Sequence, residues 1–256
     1  MRIQIRDLHL SYEVRVIGET SWLRQLFRAD YRMKPVLKGL SLEVADRGVV
    51  SILGKNGSGK TTLIKTMAGL LRPTQGEVRI LGHEPWRHEA KFLSRIGAVF
   101  GQKRMLWPEL SLSENFNLLG AIYRVPEGEV RKRVADLTEL FNLGSISNRP
   151  VKTLSLGESM RAEVACSLLH RPNVLFLDEP TVGMDIKSQN KMRLALKEYV
   201  ANHDCLVILT SHNTQDIVSL SNQILLLNDG RLEEMNDITG DTRTRIEKIE
   251  MRLVNS

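Results

Sequence analysis

The chain has 256 residues, 42% of them apolar, and a formal net charge of +6. That apolar content supports a sizeable core in one large domain or two modest lobes, and no run reaches the roughly 18 apolar residues that a membrane-spanning helix needs. The basic balance suits a plain basic surface, nucleic acid or an anionic membrane face, and charge alone does not choose among them. Cys166 and Cys205 sit in apolar stretches without metal-ligand spacing, which predicts reduced core thiols. Residues 1–8 alternate apolar and polar instead of forming an apolar leader, so no secretory signal is expected.

Taken in order, residues 3–12, 37–44, 49–53, 77–81 and 96–100 read as strands. From about 110 to 143 the period becomes helical. Leu112, Phe116, Leu119 and Ile122 share one face, as do Val130, Val134, Leu137 and Leu140. A helix after Ser155 carries Val164, Leu168 and Leu169, and strands return at 174–177, 206–210 and 224–227. Strands alternating with helices predict an α/β core with a parallel sheet, and the helical block at roughly 104–158 reads as an inserted lobe. Residues 13–35 read as an insertion between the first two strands. Within it, Trp22, Leu23, Leu26 and Phe27 fall on one helical face, with Arg24 and Arg28 on another. A short helix packed on its own domain and an amphipathic element facing a partner or membrane both fit. Residues 238–256, with Ile246, Ile249 and Leu253 among charges, suggest a terminal helix.

The chemistry is concentrated in a few loops. Gly54-Lys55-Asn56-Gly57-Ser58-Gly59-Lys60-Thr61 follows an apolar run and precedes a helical one, the context that a phosphate loop requires. Its glycines, with Asn56, Ser58 and Thr62, let backbone N–H groups curl around phosphate oxygens at a helix N-terminus. Lys60 would reach the β- and γ-phosphates, and the Thr61 hydroxyl would ligate Mg²⁺. Residues 174–177 form a buried-type strand that ends in Asp178-Glu179. Unpaired carboxylates are costly in a sheet interior, so acids at its end point to a site. Asp178 would hold Mg²⁺, and Glu179 would polarise the water that attacks the γ-phosphate.

With Leu154-Ser155-Leu156-Gly157-Glu158 between them and Thr210-Ser211-His212 beyond, the chain resembles the nucleotide-binding subunit of an ATP-binding cassette (ABC) transporter along nearly its whole length. The resemblance implies a single nucleotide-binding domain over 1–256: a RecA-like parallel core, an N-terminal antiparallel β subdomain and an inserted α-helical subdomain. It places Gln102 in the loop that touches Mg²⁺ or the attacking water. Ser155 and Gly157 match the signature that caps the γ-phosphate held by an opposite subunit, Asp185 the following D-loop, and His212 the switch histidine. A lone histidine or glutamine would mean little; six elements in the family's order carry the reading. Tyr12 or Tyr31 would stack on the adenine, with Tyr12 favoured.

The family's common signature has glycine and glutamine where this chain has Leu156 and Glu158. Arg161, one helical turn on, would offset the added charge, and an active ATPase is expected. The implied partners are a second copy of the cassette and an integral membrane permease, at the cytoplasmic face of the membrane. Residues 100–110 and the signature resemble bacterial cassettes of drug, viologen or sodium efflux, so export is expected over import. Polysaccharide and teichoic acid exporters are an alternative, although the 44 or so residues after His212 leave no room for their long C-terminal domain. Soluble ABC ATPases acting on ribosomes or DNA are a weaker alternative, with neither a second phosphate loop nor sustained heptads here.

Overall fold

The computed structural model describes residues 1–15, 31–87, 89–101, 104–235, 238 and 240–255. Residues 49–53 are apolar on both faces, a pattern that a strand sustains only where both faces of its sheet are covered. They lie within β3 (Gly48–Leu53), which is buried along its length. The sheet has six strands in the order β5 (Ile96–Phe100), β6 (Val174–Asp178), β7 (Leu206–Thr210), β3, β8 (Gln223–Asn228) and β9 (Arg231–Glu234). The first five run parallel, and β9 returns antiparallel to β8. Asp229 and Gly230 both have positive φ, 44° and 74°, as a two-residue hairpin of this hand demands. Register sets the site: β3 pairs Ile52 with Thr210 and β6 pairs Asp178 with Thr210. The loops after β3, β6 and β7 therefore leave from one edge, at the carboxyl ends of the strands.

A second, antiparallel sheet has the order β2 (Tyr31–Val44), β1 (Ile3–Arg15) and β4 (Gln75–Ile80). It covers one face of the parallel sheet together with α1 (Lys60–Met67). Ile3, Ile5 and Leu40 share an apolar cluster with Leu63, Met67, Phe176 and Ile208. The short α2 (Ala90–Leu93) adds Phe92, fully buried, to it. The alternate residues Leu175, Leu177, Val207 and Leu209 face the other way. They share a second cluster with Phe116 of α3 (Leu112–Ile122), Leu137 of α4 (Glu127–Leu140), Val164 of α5 (Leu156–Leu168) and Leu196 of α6 (Ile186–Asn202). A third, smaller cluster seats α7 (Thr214–Leu220) against Ile249 of α8 (Thr242–Asn255). No helix among the described residues is long and apolar enough to cross a membrane.

Several expected boundaries change. The strands do not stop at Tyr12 and resume at Leu37. They extend as a two-stranded arm in which Glu13 pairs with Met33, Val14 with Arg32 and Arg15 with Tyr31. The insertion read at 13–35 thus loses both ends to strand, and its Trp22, Leu23, Arg24, Leu26, Phe27 and Arg28 lie outside the described residues. Ile122 leaves the buried face of α3, at 55% exposed, while Gly120 belongs to it. The helical block of 104–158 closes no core of its own, because its interior is continuous with the sheet's.

Candidate functional site

The loop between β3 and α1 curls around a cavity of about 370 Å³ lined by Asn56, Gly57, Gly59, Lys60, Thr61 and Thr62, with Asp178 and Glu179 opposite. Val36, Gly101 and Val182 complete the wall. Two features fit this cradle to a phosphate chain. Gly57 has φ of 82° and open space where a side chain would stand, leaving its backbone accessible. The Lys60 ammonium is buried and donates to the loop's own carbonyls, Gly54 at 2.8 Å and Lys55 at 3.0 Å. Among the described residues no carboxylate pairs with Lys60 at ion-pair distance. Burial lowers its pKa, against the opposing pull of Glu179 and then Asp178. A buried cation held only by neutral groups in an open cradle is a site for an anion. Ser58 Oγ, buried in the same loop, has no hydrogen-bond partner.

The acids are held by a residue that the sequence did not single out. Thr210 Oγ1 donates to Asp178 Oδ1 at 2.7 Å and accepts the Glu179 N–H at 3.0 Å. Glu179 sits at φ 54°, a left-handed conformation that costs a non-glycine residue energy and is found where a site imposes it. Its Oε1 lies 2.7 Å from His212 Nε2. The Gly101 N–H donates to the Asp178 carbonyl at 3.0 Å, which brings the end of β5 against the acids. Gln102, the next residue, lies outside the described residues.

Tyr12 and Tyr31 separate clearly. The Tyr12 hydroxyl is 3.2 Å from Thr62 Oγ1, in the first turn of α1. Tyr31 stands farther out on the arm and is 59% exposed.

Ser155, Gly157 and Asp185 do not line the cavity. They form a second cluster. Ser155 caps α5 in a reciprocal box: its N–H donates to Glu158 Oε2 at 2.8 Å and its Oγ accepts the Glu158 N–H at 3.3 Å. Glu158 is therefore engaged at the helix start, and its pKa is lowered first by the Ser155 N–H. The expected offset by Arg161 is shared with Arg149, whose Nη1 is 3.5 Å from Glu158 Oε1. Arg161 is buried and donates to the Phe141 carbonyl. Asp185 caps α6, accepting the Ser188 N–H at 2.9 Å. A Cβ on Gly157 would stand 2.8 Å from Ser188 Oγ, so the two helix starts touch.

A family model described as ABC transporter matches residues 37–182, more than half of the chain. The chain belongs to that family. It is an ATP-binding subunit of the ABC type and an ATPase. Among curated relatives, the cassette is 29% identical over 206 residues to the ABC transporter ATP-binding protein NatA of Bacillus subtilis, covering 80% of this chain and 83% of that one. It is 33% identical over 218 residues to the spermidine/putrescine import ATP-binding protein PotA of Legionella pneumophila, covering 83% of this chain and 58% of PotA. With the daunorubicin resistance ATP-binding protein DrrA3 of Streptomyces coeruleorubidus it shares 33% over 219 residues, 83% of this chain and 69% of the other. A solved structure of the dimeric cassette MJ0796, in a post-hydrolysis state with ADP and Pi, superposes with a TM-score of 0.73 at 27% identity, covering 93% of this chain and all of that one. The cassette thus spans most of NatA but little more than half of PotA.

Proposed function

We propose that the cassette powers an exporter by closing head to tail on a second cassette around ATP, with a membrane permease as its partner at the cytoplasmic face of the membrane. The observation that carries the dimer is the division of the site. The phosphate cradle and the acids share one cavity, while Ser155, Gly157 and Asp185 stand apart from it. Exposed Leu156 and Ile186 stand at the starts of the two helices that carry that second cluster. Half-sites on separate surfaces become complete only across two copies.

Within one half-site, Glu179 is placed to take a proton from the attacking water, and His212 to steady the Glu179 carboxylate and the γ-phosphate. Lys60 and the backbone of the phosphate loop hold the phosphate chain, and Tyr12 offers its ring to the adenine. Thr61 and Asp178, hard oxygen donors on the same cavity, are the residues that would hold Mg²⁺, which neutralises the phosphate charge when bound. Among the described residues no group of three or more His, Cys, Asp or Glu could hold a metal ion. Gln102 is proposed to sense that site from beside the permease contact. The direction of transport rests on the likeness of residues 100–110 and of the signature to efflux cassettes. The 33% match to a protein named for spermidine/putrescine import keeps import as the second reading.

Isolating the tagged chain from detergent-solubilised native membranes tests the proposal. A stoichiometric integral membrane protein is expected. Recovery of ribosomal proteins or DNA in its place would overturn the transport reading.

A further inference from the structure

The molecule holds a buried polar network that the reaction as described does not use, and it joins the two loops that carry the catalytic pair. Its centre is Asp216 on α7, fully buried. Asp216 Oδ2 accepts from Thr181 Oγ1 at 2.5 Å and from Ser211 Oγ at 2.8 Å. Thr181 belongs to the loop between Glu179 and Asp185, and Ser211 immediately precedes His212. On its other side Asp216 faces Arg193 of α6 at 3.4 Å, also buried. A second bracket lies alongside. Gln189 Nε2 donates to the Met184 carbonyl at 3.2 Å and the Thr181 carbonyl at 3.4 Å, while its Oε1 accepts from Arg193 Nη2 at 3.3 Å and from Asn213 Nδ2 at 3.1 Å. Ser211 Oγ also accepts the Asn213 N–H at 3.0 Å.

Every described link runs between the 179–185 loop, the 211–213 loop and the two helices behind them. A buried ion pair of this kind is a poor source of stability, because desolvation offsets its attraction. Asp216 Oδ1 and Arg193 Nε carry no hydrogen bond, so the network is held through Asp216 Oδ2 and Gln189, and those hydrogen bonds fix one arrangement of the groups that they tie. Here those groups flank the 2.7 Å contact between Glu179 and His212 and the Asp185 cluster on the second surface.

We infer that Asp216 is a positioning residue: through Thr181 and Ser211 it holds the Glu179 loop, the His212 loop and the Asp185 turn as one body. The hydrolytic pair and the surface offered to the second cassette then move together. This rests on the catalytic roles given to Glu179 and His212 above.

The test uses the full chain and measures kcat, KM and nucleotide affinity separately. Ser211→Ala and Thr181→Val each remove one hydroxyl from Asp216 without leaving Arg193 unpaired, which Asp216→Asn would do. Each is expected to lower kcat about tenfold with ATP affinity unchanged, and to lower the melting temperature by only a few degrees for the lost hydrogen bond to a buried charge. Ser211→Thr, which keeps the hydroxyl, should restore the rate. Placed on His212→Ala, Ser211→Ala should cost nothing further. A wild-type kcat in Ser211→Ala and Thr181→Val, or a full additional loss on His212→Ala, overturns the inference. If His212→Ala itself leaves kcat unchanged, the underlying catalytic reading fails instead, and the two failures are distinct.

Discussion

His212 Nε2 stands 2.7 Å from Glu179 Oε1, and the backbone that carries Glu179 is bent into a left-handed conformation to present it. The carboxylate is thereby turned from the sheet edge toward the cradle that Lys60 and Thr61 line. Glu179→Gln keeps the size of the side chain and removes its basicity. It is expected to lower ATP turnover at least about 10²-fold while leaving nucleotide binding intact. His212→Ala is expected to lower kcat by a similar order, and steady-state rates set beside binding of a fluorescent ATP analogue separate the two effects.

The residues of this pair were legible in the sequence because phosphate chemistry restricts which side chains stand at each loop. Lys60, Asp178, Glu179 and His212 each follow an apolar strand, and the strands' parallel order brings their ends together. What holds the pair was not legible. Thr210, Thr181 and Ser211 are small hydroxyl residues at strand ends, where such residues are ordinary, and Asp216 reads as the charge of an amphipathic helix start. Their role depends on tertiary packing that no local period encodes. The arm of β1 and β2 escaped notice for a related reason. Tyr12 and Val14 alternate with Glu13, but they pair with Lys34 and Arg32 while Glu13 pairs with Met33, so each face of the arm mixes apolar and charged residues and no buried face marks it. The helical block was legible as helices, but its shared core with the sheet was not, since periodicity gives a buried face and not its partner.

Tyr12 and Tyr31 make a paired test of the adenine site. The Tyr12 hydroxyl touches Thr62 at the start of α1, whereas Tyr31 is 59% exposed on the outer arm. Base–aromatic stacking is worth about 1–3 kcal/mol. Tyr12→Ala should weaken ATP binding about tenfold or more, and Tyr31→Ala should leave it within about twofold. A larger effect at Tyr31 would move the adenine onto the arm. Titration with a fluorescent ATP analogue reads both.

Glu158 in the signature is bound into the start of α5 with Ser155, whose N–H it accepts at 2.8 Å. Glutamine serves the same capping box. Glu158→Gln is therefore expected to leave ATP turnover within about twofold. Glu158→Ala and Ser155→Ala should each destabilise the chain by about 1 kcal/mol, seen as a lowered urea midpoint. Ser155→Ala should in addition slow turnover, because Ser155 belongs to the face offered to the second nucleotide. A Glu158→Gln enzyme more than tenfold faster than wild type would mean that the charge is repelling phosphate after all.

Glu163 gives the stability a pH dependence of known sign. It is buried on α5, and its two oxygens accept the Met105 N–H at 3.0 and 3.1 Å. Burial raises its pKa to about 7, against the pull of the Met105 and Leu106 N–H groups and Arg104. The folded chain therefore holds this proton more tightly than the unfolded chain, whose value is near 4.5. Between those values the native state binds more protons, so stability falls as pH rises from about 4.5 to 7 and is flat above. The full shift corresponds to about 3 kcal/mol. Glu163→Gln retains an acceptor for Met105 and has nothing to ionise. It should melt higher than wild type at pH 8, show little difference at pH 5, and flatten the pH curve between them. An unchanged slope would place the titration elsewhere.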